Sequence, residues 1–101
     1  MSERDLDKRV SRYLTRHGAY WIKTHGGQYG RTGISDFLVC HRGQFIAIED
    51  KTAKGKVTPM QAYEQDRVRL AGGRAIIARS VDDVIECIVD VDRYLDARRA
   101  A

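Results

Sequence analysis

Glu49 and Lys51 stand two residues apart in the run Ile48-Glu49-Asp50-Lys51. In a strand that spacing sends both side chains out of one face, a carboxylate beside an ammonium. Asp36 precedes a second β-prone run, Phe37 to His41. A turn at Arg42-Gly43 leaves two hairpin arms of near-equal length and brings Asp36 close to Glu49 and Lys51. Two acids and a lysine then converge. Paired carboxylates suit a hard cation such as magnesium, which takes oxygen ligands, commonly one or two carboxylates plus waters and phosphate oxygens. A cross-strand salt bridge at a hairpin end uses the same residue types, and the acid-x-lysine spacing by itself fits that reading better.

The flanking sequence supplies the elements that must hold these residues. Leu6, Val10, Tyr13 and Leu14 recur at helical spacing, with Ser2 to cap the start and Gly18 to stop the helix. Ala19 to Thr24 reads as a strand, and His25 to Ser35 as a glycine-rich loop. Phe37 to His41 and Gln44 to Lys51 form the hairpin. After a basic connection, Thr52 to Val57, the run Thr58-Pro59-Met60-Gln61 predicts a helix start with a capping box and proline in the first turn; Gly72-Gly73 ends that helix. Ala75 to Ala78 is a short buried strand, and Ser80 caps a last helix with apolar Val81, Val84, Ile85, Ile88, Val91 and Leu95. Dense β-branching from Ile85 to Val91 also permits a strand, but the helical spacing favours the helix. The expected order is α-β-β-β-α-β-α in a single domain over 1–101.

Composition narrows the function classes. A chain of 101 residues with 43% hydrophobic and 32% charged residues and one proline is neither low-complexity nor disordered. Residues 1–80 hold 15 basic and 8 acidic side chains, residues 81–101 hold 3 and 6. A basic body suits a phosphate-rich partner. Cys40 and Cys87 form no CxxC motif and are expected in the core, while His17, His25 and His41 lack zinc spacing and are expected on the surface or in loops. Gly26, Gly27, Gly30 and Gly33 make no Walker motif, which argues against nucleotide hydrolysis. No apolar run resembles a signal peptide or a membrane span, so a cytoplasmic protein with no membrane partner is expected.

The ordered combination of Glu3, Gly33, Asp36, Glu49, Lys51, Gln61, Gly72 and Gly73 resembles the VRR-NUC family of the PD-(D/E)XK nuclease superfamily. The family pattern is an N-terminal helix with a glutamate, a G-x-P-D approach, a hairpin ending E-x-K, a following glutamine and a glycine pair before the last strand. The resemblance covers nearly the whole chain. Ser35 stands where the family has proline, which relaxes the backbone without removing a ligand. Asp50 stands where E-x-K usually holds an apolar residue, and alternation turns it to the opposite sheet face, where it needs exposure or a basic partner.

The resemblance implies an α/β, restriction-endonuclease-like core, α-β-β-β-α-β with an extra C-terminal helix, its mixed central sheet flanked by helices. It implies a structure-selective DNA endonuclease using Mg2+ or Mn2+, active on branched DNA such as four-way junctions, in a bacterial or phage-infected cell. Asp36 and Glu49 then hold the metal, with the main-chain carbonyl of Asp50 and, directly or through water, Glu3 as further ligands. Lys51 orients the water or stabilises charge on the phosphate, and Gln61 contacts water or phosphate unless it serves only its helix cap. Lys23, Arg31, Lys54, Lys56 and Arg74 are the expected DNA phosphate contacts, and the loop glycines allow close backbone approach. Two cuts in a junction imply a homodimer, its interface built from the last helix and exposed apolar residues of the first. The competing readings are a monomeric nickase and a catalytically idle DNA-binding module on the same fold.

Overall fold

The computed structural model describes residues 1–24 and 31–100. His25, Gly26, Gly27 and Gly30 lie outside the described residues. Helix α1 (Glu3–Arg16) begins where the Ser2 hydroxyl accepts the Asp5 N–H, and it buries Leu6, Val10 and Leu14 along one stripe. Each such side chain removed from water contributes roughly 1.5–3 kcal/mol. Beyond the positive-φ Gly18, β1 (Tyr20–Lys23) pairs antiparallel with β2 (Phe37–His41), which pairs antiparallel with β3 (Gln44–Asp50). Arg42 and Gly43 both adopt positive φ, 52° and 84°, as a tight two-residue hairpin requires.

From β3 the chain crosses through α2 (Pro59–Leu70) to β4 (Arg74–Ala78), which lies parallel to β3 and completes the sheet order β1-β2-β3-β4. Helix α3 (Val81–Ala100) then packs against α1 and β4. The element order is the expected one, and residues 85–91 are helical. The core lies between the sheet and the α1–α3 layer, where Phe37, Val39, Ile46 and Ile48 meet Leu6, Val10, Leu14, Val84, Ile88 and Val91. Helix α2 lies across β3 and β4, and its side chains satisfy carbonyls of β4: Gln65 Nε2 donates to Ile76 O at 2.9 Å and the Arg69 guanidinium to Ala75 O at 2.7 Å.

Three expectations are corrected. Cys40 is exposed, because it points to the sheet face away from the α1–α3 core; Cys87 alone of the two is buried. His41 is buried on the core side, its Nε2 at 2.9 Å from Asp92 on α3, and the neighbouring Arg42 grips Asp92 and Asp96. The apolar residues Leu6, Val10 and Leu14 of α1 are consumed by the core, so they offer no surface to a second subunit.

Candidate active site

The register Phe37↔Ile48 places Asp36, one residue earlier, across from Glu49. Thr24 fixes that approach, its N–H donating to Asp36 O at 2.8 Å and its hydroxyl to Ser35 O at 2.7 Å. The Asp36 carboxylate accepts the Asp50 N–H through Oδ2 at 2.8 Å. Glu49 points to the α2 side and is 3% exposed, with Lys51 Nζ at 3.6 Å from its Oε2. Gln61 Nε2 donates to the same Oε2 at 3.1 Å, while Gln61 Oε1 accepts the Thr58 N–H at 2.9 Å. One side chain therefore both closes the capping box of α2 and steadies Glu49. Gly33 makes that approach possible: its φ is +89°, and a Cβ there would sit 2.6 Å from the Met60 carbonyl carbon.

Burial pushes the Glu49 carboxyl up to about 8, with the Asp36 charge adding to it and Lys51 opposing. Burial likewise raises Asp36, against the stabilising Asp50 N–H. Glu3, exposed at the head of α1, is raised by burial and then by Asp36, and it feels Lys51, which places it at the rim of the same site. Among the described residues, the buried Glu49 Oε1 has no hydrogen-bond partner. An orphaned acceptor beside a second carboxylate is costly unless a proton or a cation occupies it. Among the described residues no three His, Cys, Asp or Glu side chains form a metal-holding group. Two carboxylates nonetheless meet the requirement of a magnesium-like ion that keeps waters and phosphate oxygens.

Asp50 has neither the exposure nor the cationic contact that the sequence led us to expect. It is fully buried in the α1–α3 layer, and among the described residues neither of its oxygens has a partner; Asp7 Oδ1, on α1, also lacks one. Burial first, then the facing Asp7 carboxyl, pushes Asp50 up to about 9, so it holds its proton at neutral pH. A shared proton satisfies two oxygens that would otherwise both accept. Lys23 closes the cluster, its Nζ 3.2 Å from Asp7 Oδ2 and 5.4 Å from the Phe37 ring centroid. Asp7, four residues after Glu3 and thus on the same helix face, escaped the sequence reading although that spacing could have signalled it.

The expected phosphate contacts separate. Lys54 and Lys56 are exposed in the loop that follows Lys51. Arg79 pins that loop from the end of β4, donating to Thr52 O at 2.7 Å and Gly55 O at 2.8 Å. Nothing in the sequence marks Arg79 for this role. Lys23 is committed to Asp7, and Arg31 pairs with Glu64 at 3.1 Å. Arg74 opens β4, whereas Glu49 pairs with Ile77 near the other end; its guanidinium lies 5.9 Å from the Tyr94 ring centroid. Arg74 does not flank the site.

A mixed four-stranded sheet between helices, with D and E-x-K converging at strand ends, defines a restriction-endonuclease-like domain of the PD-(D/E)XK layout. A solved structure described as a VRR_NUC domain superposes with a TM-score of 0.71 at 29% identity, covering 83% of this chain and 94% of that one. With the motif order above, that likeness shows a VRR_NUC-type nuclease fold and supports membership of the VRR-NUC family. No family model matches the sequence, and no curated protein does.

Proposed function

We propose that this VRR-NUC domain is a metal-dependent DNA endonuclease that hydrolyses phosphodiester bonds, acting as a homodimer on branched DNA such as four-way junctions. The observation that carries this reading is the buried Glu49 Oε1, unpartnered among the described residues and next to the Asp36 carboxylate, with Lys51 Nζ 3.6 Å from the other Glu49 oxygen. Asp36, Glu49, the Asp50 carbonyl and, from the rim, Glu3 would hold Mg2+ or Mn2+, which would polarise a phosphate and lower the pKa of a bound water. Gln61 keeps Glu49 oriented through Nε2. Lys51 brings a fixed positive charge to the place where negative charge grows on the phosphate. Lys54 and Lys56 offer further phosphate contacts from the loop that Arg79 pins.

The homodimer draws on exposed α3 residues, Val89 and Tyr94 among them, since the α1 apolar stripe is spent on the core. Among the described residues, no helix is long and apolar enough to cross a membrane, and the proposed setting is the cytoplasm of a bacterial or phage-infected cell. Labelled linear duplex, single-stranded, flap and four-way DNA, incubated with Mg2+ or Mn2+ and then with chelator, test the activity. Metal-dependent, paired incisions preferentially in the junction are expected. Binding without cutting on every substrate would make this an idle DNA-binding module. Light scattering at a monomer mass together with uncoupled nicks would make it a monomeric nickase.

A further inference from the structure

Several basic side chains outside the site already have partners. Lys23, Arg31, Arg42 and Arg69 pair with carboxylates, and Arg79 binds loop carbonyls. Among the described residues, helix α1 carries the largest group on one element without such a pair. Arg4, Lys8, Arg9, Arg12 and Arg16 are all exposed, and among the described residues none of them forms an ion pair within 4 Å. Their spacing sets Lys8 against Arg12 and Arg12 against Arg16 at i, i+4, where like charges destabilise a helix. Asp5 offsets only the first turn. A helix whose outer face repels itself is suited to an anion supplied from outside.

The structure gives that anion a seat. Arg9, Arg12 and Arg16 line one open groove of about 330 Å³ with Tyr13 of α1 and Val81 and Ile85 of α3. Of the acids in the first turn of α3, Asp83 accepts the Arg79 N–H at 2.8 Å, and neither Asp82 nor Asp83 lines the groove. At 1.5 Å per residue, Arg9 and Arg16 are about 10 Å apart along the helix axis, comparable to the reach of three successive phosphates of one strand, which cover about 7 Å of duplex axis at 3.4 Å per step. The groove belongs to the α1–α3 layer, whereas Glu49 opens toward α2 across the sheet. With the two places on opposite sides of the sheet, one arm of a branched DNA could lie over Glu49 while a second, diverging from the branch point, follows the groove.

We propose that the groove between α1 and the start of α3 is a second duplex-binding surface, where Arg9, Arg12 and Arg16 take consecutive phosphates of a branched substrate's second arm. The proposal rests on the DNA-endonuclease reading above and names how that site selects its substrate class.

The test compares the wild type with a triple variant, Arg9→Gln, Arg12→Gln and Arg16→Gln, in chelator, on four-way DNA and on linear duplex of one arm pair. Circular dichroism checks that α1 still folds. Affinity for the junction should fall tenfold or more in the variant while affinity for linear duplex falls less than threefold. The slope of log affinity against log salt on the junction should shrink by about 2 to 3, the release expected from three lost phosphate contacts. Equal losses on both DNAs, an unchanged salt slope, or a change in oligomeric state in the variant would each overturn the second-arm surface. Wild-type protein that binds no DNA would instead remove the nuclease reading itself.

Discussion

The Asp36 carboxylate accepts the backbone N–H of Asp50 at 2.8 Å, so the acid that leads into β2 is tied to the middle residue of the E-x-K motif, the last of β3. The bond needs only one oxygen, and it sets the angle at which the other faces Glu49. Asp36→Asn keeps an acceptor for that N–H and is expected to change stability by no more than about 1 kcal/mol, yet to lower cleavage about a hundredfold or more by removing charge. Asp36→Ala additionally strands the buried N–H, at about 1–3 kcal/mol. Thermal unfolding and single-turnover cleavage, measured side by side, separate the two effects; full turnover by the Asn variant would dismiss the site.

Lys51 sits 3.6 Å from Glu49 and is mostly shielded from solvent. Lys51→Ala should bind DNA almost as the wild type does but cut about a hundredfold more slowly at saturation, because its charge matters most as the phosphate accumulates negative charge. A collapse of affinity with normal saturated cutting would make it a binding residue.

Without metal, Glu49 titrates at about 8, raised by burial and then by Asp36. Metal and proton compete for it. Mn2+ affinity measured by calorimetry should strengthen up to about tenfold per pH unit from pH 6 toward 8, with proton release, and level off above. Affinity that does not change across that range contradicts the assignment of Glu49 as a ligand.

Asp50 carries the largest stability cost that we identify in the fold. Its carboxyl is raised from 3.8 to about 9 on folding, so the folded chain binds a proton that the unfolded chain gives up near pH 4. The stabilisation from that neutral form is complete below pH 4, declines as pH rises, and is gone once pH passes 9. Asp50→Asn should therefore flatten the fall in stability over this window and gain about 1–2 kcal/mol at pH 8. For a domain of this size that is a rise in Tm of at least about 4 °C. A lower Tm for the variant at pH 8 would show that the contact between the Asp50 and Asp7 carboxyls stabilises the fold by more than its burial costs.

Gln61 divides its amide between two tasks, and two substitutions split them. Gln61→Ala keeps the Thr58 hydroxyl cap but removes the acceptor for the Thr58 N–H, the other half of the capping box, and should cost about 1 kcal/mol in stability. Gln61→Glu keeps a cap acceptor but sets a further carboxylate against Glu49, so stability at neutral pH should hold better than in the Ala variant while Glu49 titrates still higher. NMR titration of the Glu49 carboxyl reads this directly; an unchanged midpoint would mean that Gln61 contributes only the cap.

What the sequence by itself determined is local. Helix caps at Ser2 and Thr58, the Arg42-Gly43 turn and the two-residue period of β3 depend on residues within a few positions of one another, so element order, hairpin register and the meeting of Asp36, Glu49 and Lys51 followed from them. Alternation also put Asp50 on the face opposite Glu49. What covers each face depended on segments distant in the chain, and that only the tertiary structure decided. Helix α1 brought Asp7 under Asp50 and took Lys23 from the expected phosphate contacts, α3 drew His41 into contact with Asp92, and the sheet face bearing Cys40 stayed open at that position. The amide of Gln61 reached Glu49 because Gly33 lets the start of α2 close on the loop before Asp36. Periodicity assigns a side chain to a face; whether that face meets water, a helix or another carboxylate is a property of packing between elements, which no short window of sequence contains.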